Sequence, residues 1–172
     1  MNPLNASERR QAILKRLSAR PVSASSLAAE FAVSRQVIVG DIALLRAAGE
    51  EISATPRGYV ILPAATGPTR QVACCHDTGG MEAELNAMVD QGCTVLDVTV
   101  EHPVYGQLTG PLQLSSRYDV QQFLAKCAQS DARPLSDLTE GIHLHTLACP
   151  SPEAYERVRA SLLALGVLLR DQ

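Results

Sequence analysis

The run Ser34-Arg35-Gln36-Val37-Ile38-Val39-Gly40-Asp41-Ile42-Ala43-Leu44-Leu45-Arg46 reads as one helix. Ser34 is a strong N-cap, because a short hydroxyl side chain there accepts a hydrogen bond from an amide of the first turn. Val37, Ile38, Ile42, Leu44 and Leu45 recur at helical spacing, and Gly49 stands where a glycine ends a helix, so the expected span is 35–48. Upstream, Ser7 opens a helix that runs to Leu17 with Ile13, Leu14 and Leu17 as its apolar stripe, and Pro21 stops it. A second, short helix follows from Ser23 to Phe31, joined to the third by the tight turn Ala32-Val33. Downstream, two β-prone stretches between Glu50 and Leu62 flank the turn Pro56-Arg57-Gly58.

Three short helices with a tight turn between the second and third form the helix-turn-helix pattern, in which the third helix enters the DNA major groove. The two strands then make a small wing, with Arg57 at its tip, where a phosphate or the minor groove can be met. Residues 7 to about 62 resemble the bacterial winged-helix module at the N-terminus of many ligand-controlled repressors and of biotin-ligase repressors. The resemblance places Ser34, Arg35 and Gln36 against DNA, where Arg35 has the fork for guanine and Gln36 the amide for adenine. Gly40 departs from a good helix and costs on the order of 1 kcal/mol relative to Ala.

The charge is divided in the same way. Residues 1–70 carry nine Lys+Arg against five Asp+Glu, whereas residues 71–172 carry six against thirteen and hold all four histidines. A basic winged module (residues 1–62) is therefore expected to precede a connector (63–68, with Pro63 and Pro68) and an acidic module (69–172). Aromatics are 3% and Trp is absent, which disfavours stacking on single-stranded nucleic acid. The N-terminus lacks the apolar segment of a signal peptide, and no run of about 18 apolar residues occurs, so a cytoplasmic location without membrane contact is expected. The five cysteines are odd in number and form no C-x-x-C pair, which fits reduced, buried thiols.

In the acidic module the pattern alternates as β-α-β-β-α-β-α. Strands are expected at 69–75, at 93–100, at 141–149 and, as a shorter pair or hairpin, at 106–114, with helices around Met81 to Val89, 118–128 and 151–165. The fold class is α+β: a winged helix followed by an open-faced sandwich, its sheet antiparallel or mixed and one face free for a partner or for polar groups.

His143-Leu144-His145 puts two imidazoles on the same face of a strand, about 6 to 7 Å apart, close enough to share an ion. His76 directly follows the first strand, at the edge leading to the helix that bears Glu84, and Glu84 leans toward that helix's apolar side, where an unpaired carboxylate is costly. Glu82 falls on the solvent side. His76, Glu84, His143 and His145 together make a set suited to Zn, Ni, Fe or Cu, while the same His-x-His spacing also suits a polar exposed strand. Whether Cys74 or Cys75 joins the set is open, and Arg117 and Lys126 read either as partners of a carboxylate effector or as solvated charges.

The runs Cys75-His76-Asp77-Thr78 with Glu82-Ala83-Glu84-Leu85, Asp97-Val98-Thr99-Val100-Glu101-His102-Pro103-Val104-Tyr105-Gly106, and Leu138-Thr139-Glu140-Gly141-Ile142-His143-Leu144-His145-Thr146 resemble the three-histidine (3H) domain. Together with the winged helix they resemble the NiaR (YrxA) family of niacin-responsive transcription repressors, over nearly the whole chain. The resemblance implies that His76, Glu84, His143 and His145 bind one divalent transition metal ion (Zn, Ni or Fe), with nicotinic acid as co-repressor. It further implies a homodimer on double-stranded operator DNA that controls genes of NAD biosynthesis or niacin uptake. His102 sits before Pro103 in a turn and reads as a structural hydrogen-bonding group, as a lining of an effector site with Tyr105, or as a further ligand. The alternatives are a repressor that senses the metal directly and a DNA-tethered metal-dependent hydrolase; the latter lacks a convincing extra general base or nucleophile, so the chain is expected not to be an enzyme.

Overall fold

In the computed structural model, residues 4–62 and 68–170 are described. The chain divides between residues 64 and 65 into two compact units. The connector expected at 63–68 lies, except for Pro68, outside the described residues.

The first unit holds α1 (Ala6–Arg16), α2 (Ala24–Glu30), α3 (Arg35–Ala47), β1 (Ser53–Thr55) and β2 (Gly58–Val60). The first helix begins earlier than Ser7 implies: Asn5 is its cap, accepting from the Glu8 amide, while the Glu8 carboxylate accepts from the Asn5 amide, a reciprocal capping box. Ser23 and Ser34 cap α2 and α3 through their side chains, and each accepts from the amide three residues on. Ile13, Leu27, Ile38 and Ile42 are the buried centre of the unit. Leu44, which shares the apolar pattern of α3, is instead 56% exposed, because the buried face runs through Ile38, Ile42 and Leu45. Val22 pairs with Tyr59 in both directions, so the wing is anchored to the segment between α1 and α2. Gly58, at φ +136°, is required there: a Cβ would meet the Val22 carbonyl at 2.5 Å.

Asp41 is a buried carboxylate in α3 at 4% exposure, and the Arg9 guanidinium donates to it at 2.6 Å and 3.3 Å, with Arg10 at 3.6 Å. This pair pins α3 to α1. It also engages two of the nine cations of residues 1–70.

The second unit is built on a four-stranded, wholly antiparallel sheet in the order β3-β6-β4-β5, with β3 at Thr69–Cys75, β4 at Thr94–His102, β5 at Gly106–Leu114 and β6 at Ile142–Ala148. The stretch 106–114 is one nine-residue strand paired with β4, longer than the short element its glycines and proline suggest. Helices α4 (Met81–Val89), α5 (Arg117–Ala128) and α6 (Pro152–Ala164) bury Leu85, Met88, Val120, Val158 and Leu162 against Val72, Val95, Leu114 and Leu147 of one sheet face. Strand alternation puts Gln71, Thr99, Glu101, Gln107, Thr109 and Thr146 on the other face, where the Thr99 and Thr109 hydroxyls lie 2.8 Å apart. Polar groups thus line most of that face, although Ile142 remains 48% exposed on it. No helix among the described residues is long and apolar enough to cross a membrane.

Removing Asp41 leaves two guanidinium groups beside a vacated buried site. Asp41→Ala is expected to destabilise the first unit by about 3 kcal/mol. Amide hydrogen exchange on the full chain checks this: α1 and α3 should lose protection while α4, α5 and α6 keep theirs.

Candidate metal centre

His143 and His145 alternate with Leu144 on β6, so both leave the sheet on its helix-covered face, and each is 3% exposed. His76 follows the last residue of β3, and its ring is held from the other side by a backbone that leaves no room. A Cβ on Gly80 would stand 2.8 Å from that ring, and one on Gly141, at φ +91°, would lie 2.3 Å from the His76 carbonyl oxygen. Glu84, in the first turn of α4, is carried onto these rings and is 1% exposed.

The carboxylate is the hub. The Nε2 atoms of His76 and His145 lie 2.7 Å and 3.4 Å from its Oε2, and the Nε2 of His143 lies 3.0 Å from its Oε1. The rings of His76 and His143, and of His143 and His145, meet edge to face at 4.9 Å between centroids. All four residues singled out by the sequence as ligands are therefore brought together.

The opposite ring nitrogens decide the protonation. His76 Nδ1 donates to the Asp77 carbonyl at 2.5 Å, His143 Nδ1 to the Gly141 carbonyl at 2.8 Å and His145 Nδ1 to the Asp97 carbonyl at 2.8 Å. A backbone carbonyl can only accept, so each Nδ1 carries the hydrogen. The Nε2 of a neutral ring then offers a lone pair. Three such lone pairs face one carboxylate, and the contacts are attractive only if protons or a cation lie among them. Burial by itself raises the Glu84 pKa, but hydrogen bonding with His143, His145 and His76 outweighs it and holds the carboxyl well below the usual carboxylate range. The hydrogen bond to Glu84 correspondingly pushes His76 up, against the opposing pull of its burial. Converging imidazoles with fixed Nδ1 hydrogens, around an ionised carboxylate, are a donor set that could hold a transition metal, with the carbonyls in the place of orienting partners.

A β-bulge contributes directly. The register of β4 slips between Val95 and Asp97 where it meets β6, so the Asp97 carbonyl turns to His145 Nδ1 while the Asp97 carboxylate takes the Thr146 amide at 3.2 Å. Sequence reading gives neither Asp97 nor Gly80 a role in the site, because bulges and close approaches carry no periodic signal. Cys74 is a further group beside the site. It is fully buried on β3, opposite His143 in register, and its sulfur, a Glu84 oxygen and a His143 nitrogen all lie within 4.8 Å of one another. Burial and the Glu84 charge push its thiol pKa up.

His102 plays another part at the β4–β5 turn: its Nδ1 accepts from the amides of Val104 and Tyr105 at 3.2 Å and 3.3 Å, and its ring lies 5.0 Å from that of Tyr105, which is 74% exposed. Arg117 is engaged by Asp90 in an exposed ion pair. In the first unit Ser34, Arg35 and Gln36 are all exposed at the start of α3. Arg57 is exposed in the β1–β2 turn, where it lines an open cleft with Arg16 and Arg20, two cations that no motif in the sequence singles out. Gly40 is exposed, and a Cβ added to it would meet nothing within 4 Å, so nothing within the unit requires a glycine there.

The family described as the 3H domain matches residues 69–171, and the family described as an HTH domain matches residues 9–60. The transcription repressor NadR of Bacillus subtilis is 42% identical over 158 residues, spanning 90% of this chain and 88% of that protein. The probable transcription repressor NiaR of Thermotoga maritima is 43% identical over 159 residues, spanning 92% and 90%.

Proposed function

Because the chain belongs to the family of 3H-domain transcription repressors that includes NadR and NiaR, we propose that it is a metal-containing, nicotinate-responsive repressor of genes for NAD synthesis or niacin uptake. Its relatives are named as transcription repressors, which places the chain among DNA-binding regulators rather than enzymes. The metal in this reading rests on one observation: three imidazoles with their Nδ1 hydrogens committed to carbonyls turn three Nε2 atoms on the ionised, buried Glu84.

In this reading His76, Glu84, His143 and His145 hold one divalent transition ion, Zn, Ni or Fe. The ion would supply the positive charge that this ring of acceptors lacks, and a position that a carboxylate or pyridine nitrogen of nicotinate can take. Glu84 and the three rings join β3, α4 and β6 at one point, so a ligand that alters their arrangement acts on three elements of the second unit together. Nicotinate is a co-repressor only if it binds the DNA-competent state more tightly than the other. On DNA, Arg35 and Gln36 read base edges and Ser34 and Arg57 meet the backbone or minor groove, in a cytoplasmic homodimer on a palindromic operator.

Operator binding by the metal-loaded chain at fixed ionic strength tests this, since affinity for DNA is interpretable only at known salt. A response to nicotinate supports the reading. A response to chelation and metal return, with nicotinate inert, replaces it with direct metal sensing.

A further inference from the structure

We propose that Cys74 belongs to the metal centre as a sulfur ligand, which makes the donor set of this chain three imidazoles, one carboxylate and one thiolate. The inference rests on the metal reading above and adds to it a residue outside the four-residue set.

Three observations carry it. Cys74 and His143 are direct partners across β3 and β6, so their side chains leave the same sheet face side by side, roughly 5 Å apart at Cβ. Glu84 comes onto that pair from α4, and the sulfur, its oxygen and the His143 nitrogen are mutually within 4.8 Å. Ligands bound to one ion at about 2.0–2.3 Å lie at most about 4.5 Å apart, so small side-chain adjustments bring all three onto a common ion. Third, most of the cluster is buried, with Cys74 at 0%, Glu84 at 1% and His143 and His145 at 3% exposure, and His76 half-buried. A divalent ion held by neutral imidazoles and one carboxylate leaves a net positive charge among these buried groups, which is costly without a second anion. A thiolate at Cys74 makes the sum neutral: the S–H proton leaves to solvent as the sulfur–metal bond forms. Cys75 has no such place, because it alternates to the opposite face of β3, in register with Ile142.

Cobalt(II) is the probe. The full chain loaded with cobalt is expected to show a thiolate-to-cobalt charge-transfer band in the near ultraviolet, which Cys75→Ser retains and Cys74→Ser loses. Cys74→Val fills the core without a donor, so loss of the band there, with circular dichroism unchanged, separates ligation from folding. Metal-edge X-ray absorption of the zinc-loaded, unsubstituted chain is expected to show one sulfur at about 2.3 Å. A nitrogen-and-oxygen-only shell, or a band that survives both Cys74 substitutions, overturns the proposal and leaves the four-residue site standing. A chain that takes up no cobalt overturns both.

Discussion

A His143→Ala chain is expected to be isolated without a divalent ion and without a thermal response to chelators, whereas the unsubstituted chain is expected to carry one ion per chain. His143 is the central ring of the cluster, within edge-to-face contact of both His76 and His145 and 3.0 Å from Glu84. An ion present at a hundredfold excess over its Kd stabilises the folded state by about 2.7 kcal/mol. For a unit of this size that corresponds to a chelator-induced fall in melting temperature on the order of 10 °C. His143→Ala also opens a cavity and melts lower from the start, so the decisive quantity is the difference with and without chelator, which should vanish. Glu84→Gln keeps the shape and removes the charge. It should weaken metal binding by more than the roughly 10- to 100-fold that loss of an orienting partner causes. Acid should weaken uptake in the unsubstituted chain, because protons compete for the same Nε2 atoms. His76 takes part in this competition, since its hydrogen bond to Glu84 raises its pKa above the ordinary histidine value.

Arg35→Ala is expected to cost roughly 1–3 kcal/mol in operator binding, about 5- to 150-fold, and to relax base preference at one position of each half-site. Its side chain is exposed at the first residue of α3, the end of the helix proposed to meet base edges, and Ser34 ahead of it caps that helix. Arg57→Ala should behave differently. A backbone contact carries no sequence information, so all sites should weaken alike and the slope of log affinity against log salt should fall by about 1. Binding measured over several salt concentrations, on operator and on scrambled DNA, separates the two roles. Equal effects of both substitutions on both DNAs would contradict this division.

Much of the fold and of the site is legible in the residues because the informative patterns are local. Ser23 and Ser34 announce their helices by capping chemistry, and His143-Leu144-His145 announces a common strand face by alternation alone. Glu84 stands out because a carboxylate among Met81, Leu85 and Met88 needs a partner, and three rings supply one. Patterns that depend on contacts distant in sequence are not legible. Asp41 looks like one more helix-surface charge until Arg9, thirty-two residues away, is seen to meet it. Ser7 looks like the start of α1 because Ser is a good cap, whereas Asn5 with Glu8 makes the reciprocal pair that wins. The length of β5 is hidden by Gly106, Gly110 and Pro111, residues tolerated because only one side of that strand pairs with a neighbouring strand. Cys74 is one of two cysteines ahead of His76, and only the register of β3 against β6 distinguishes it from Cys75.

Nicotinate control of DNA binding, as proposed, runs through the buried histidine–glutamate cluster. Operator affinity, measured at one salt concentration for the unsubstituted and His143→Ala chains with and without nicotinate, tests this most directly. Nicotinate is expected to tighten binding by the metal-loaded unsubstituted chain about 5- to 150-fold, the range of ordinary allosteric coupling. No change is expected for His143→Ala, which should still bind DNA at the basal level. A nicotinate response undiminished in His143→Ala, or none in the metal-loaded unsubstituted chain, would contradict the proposal.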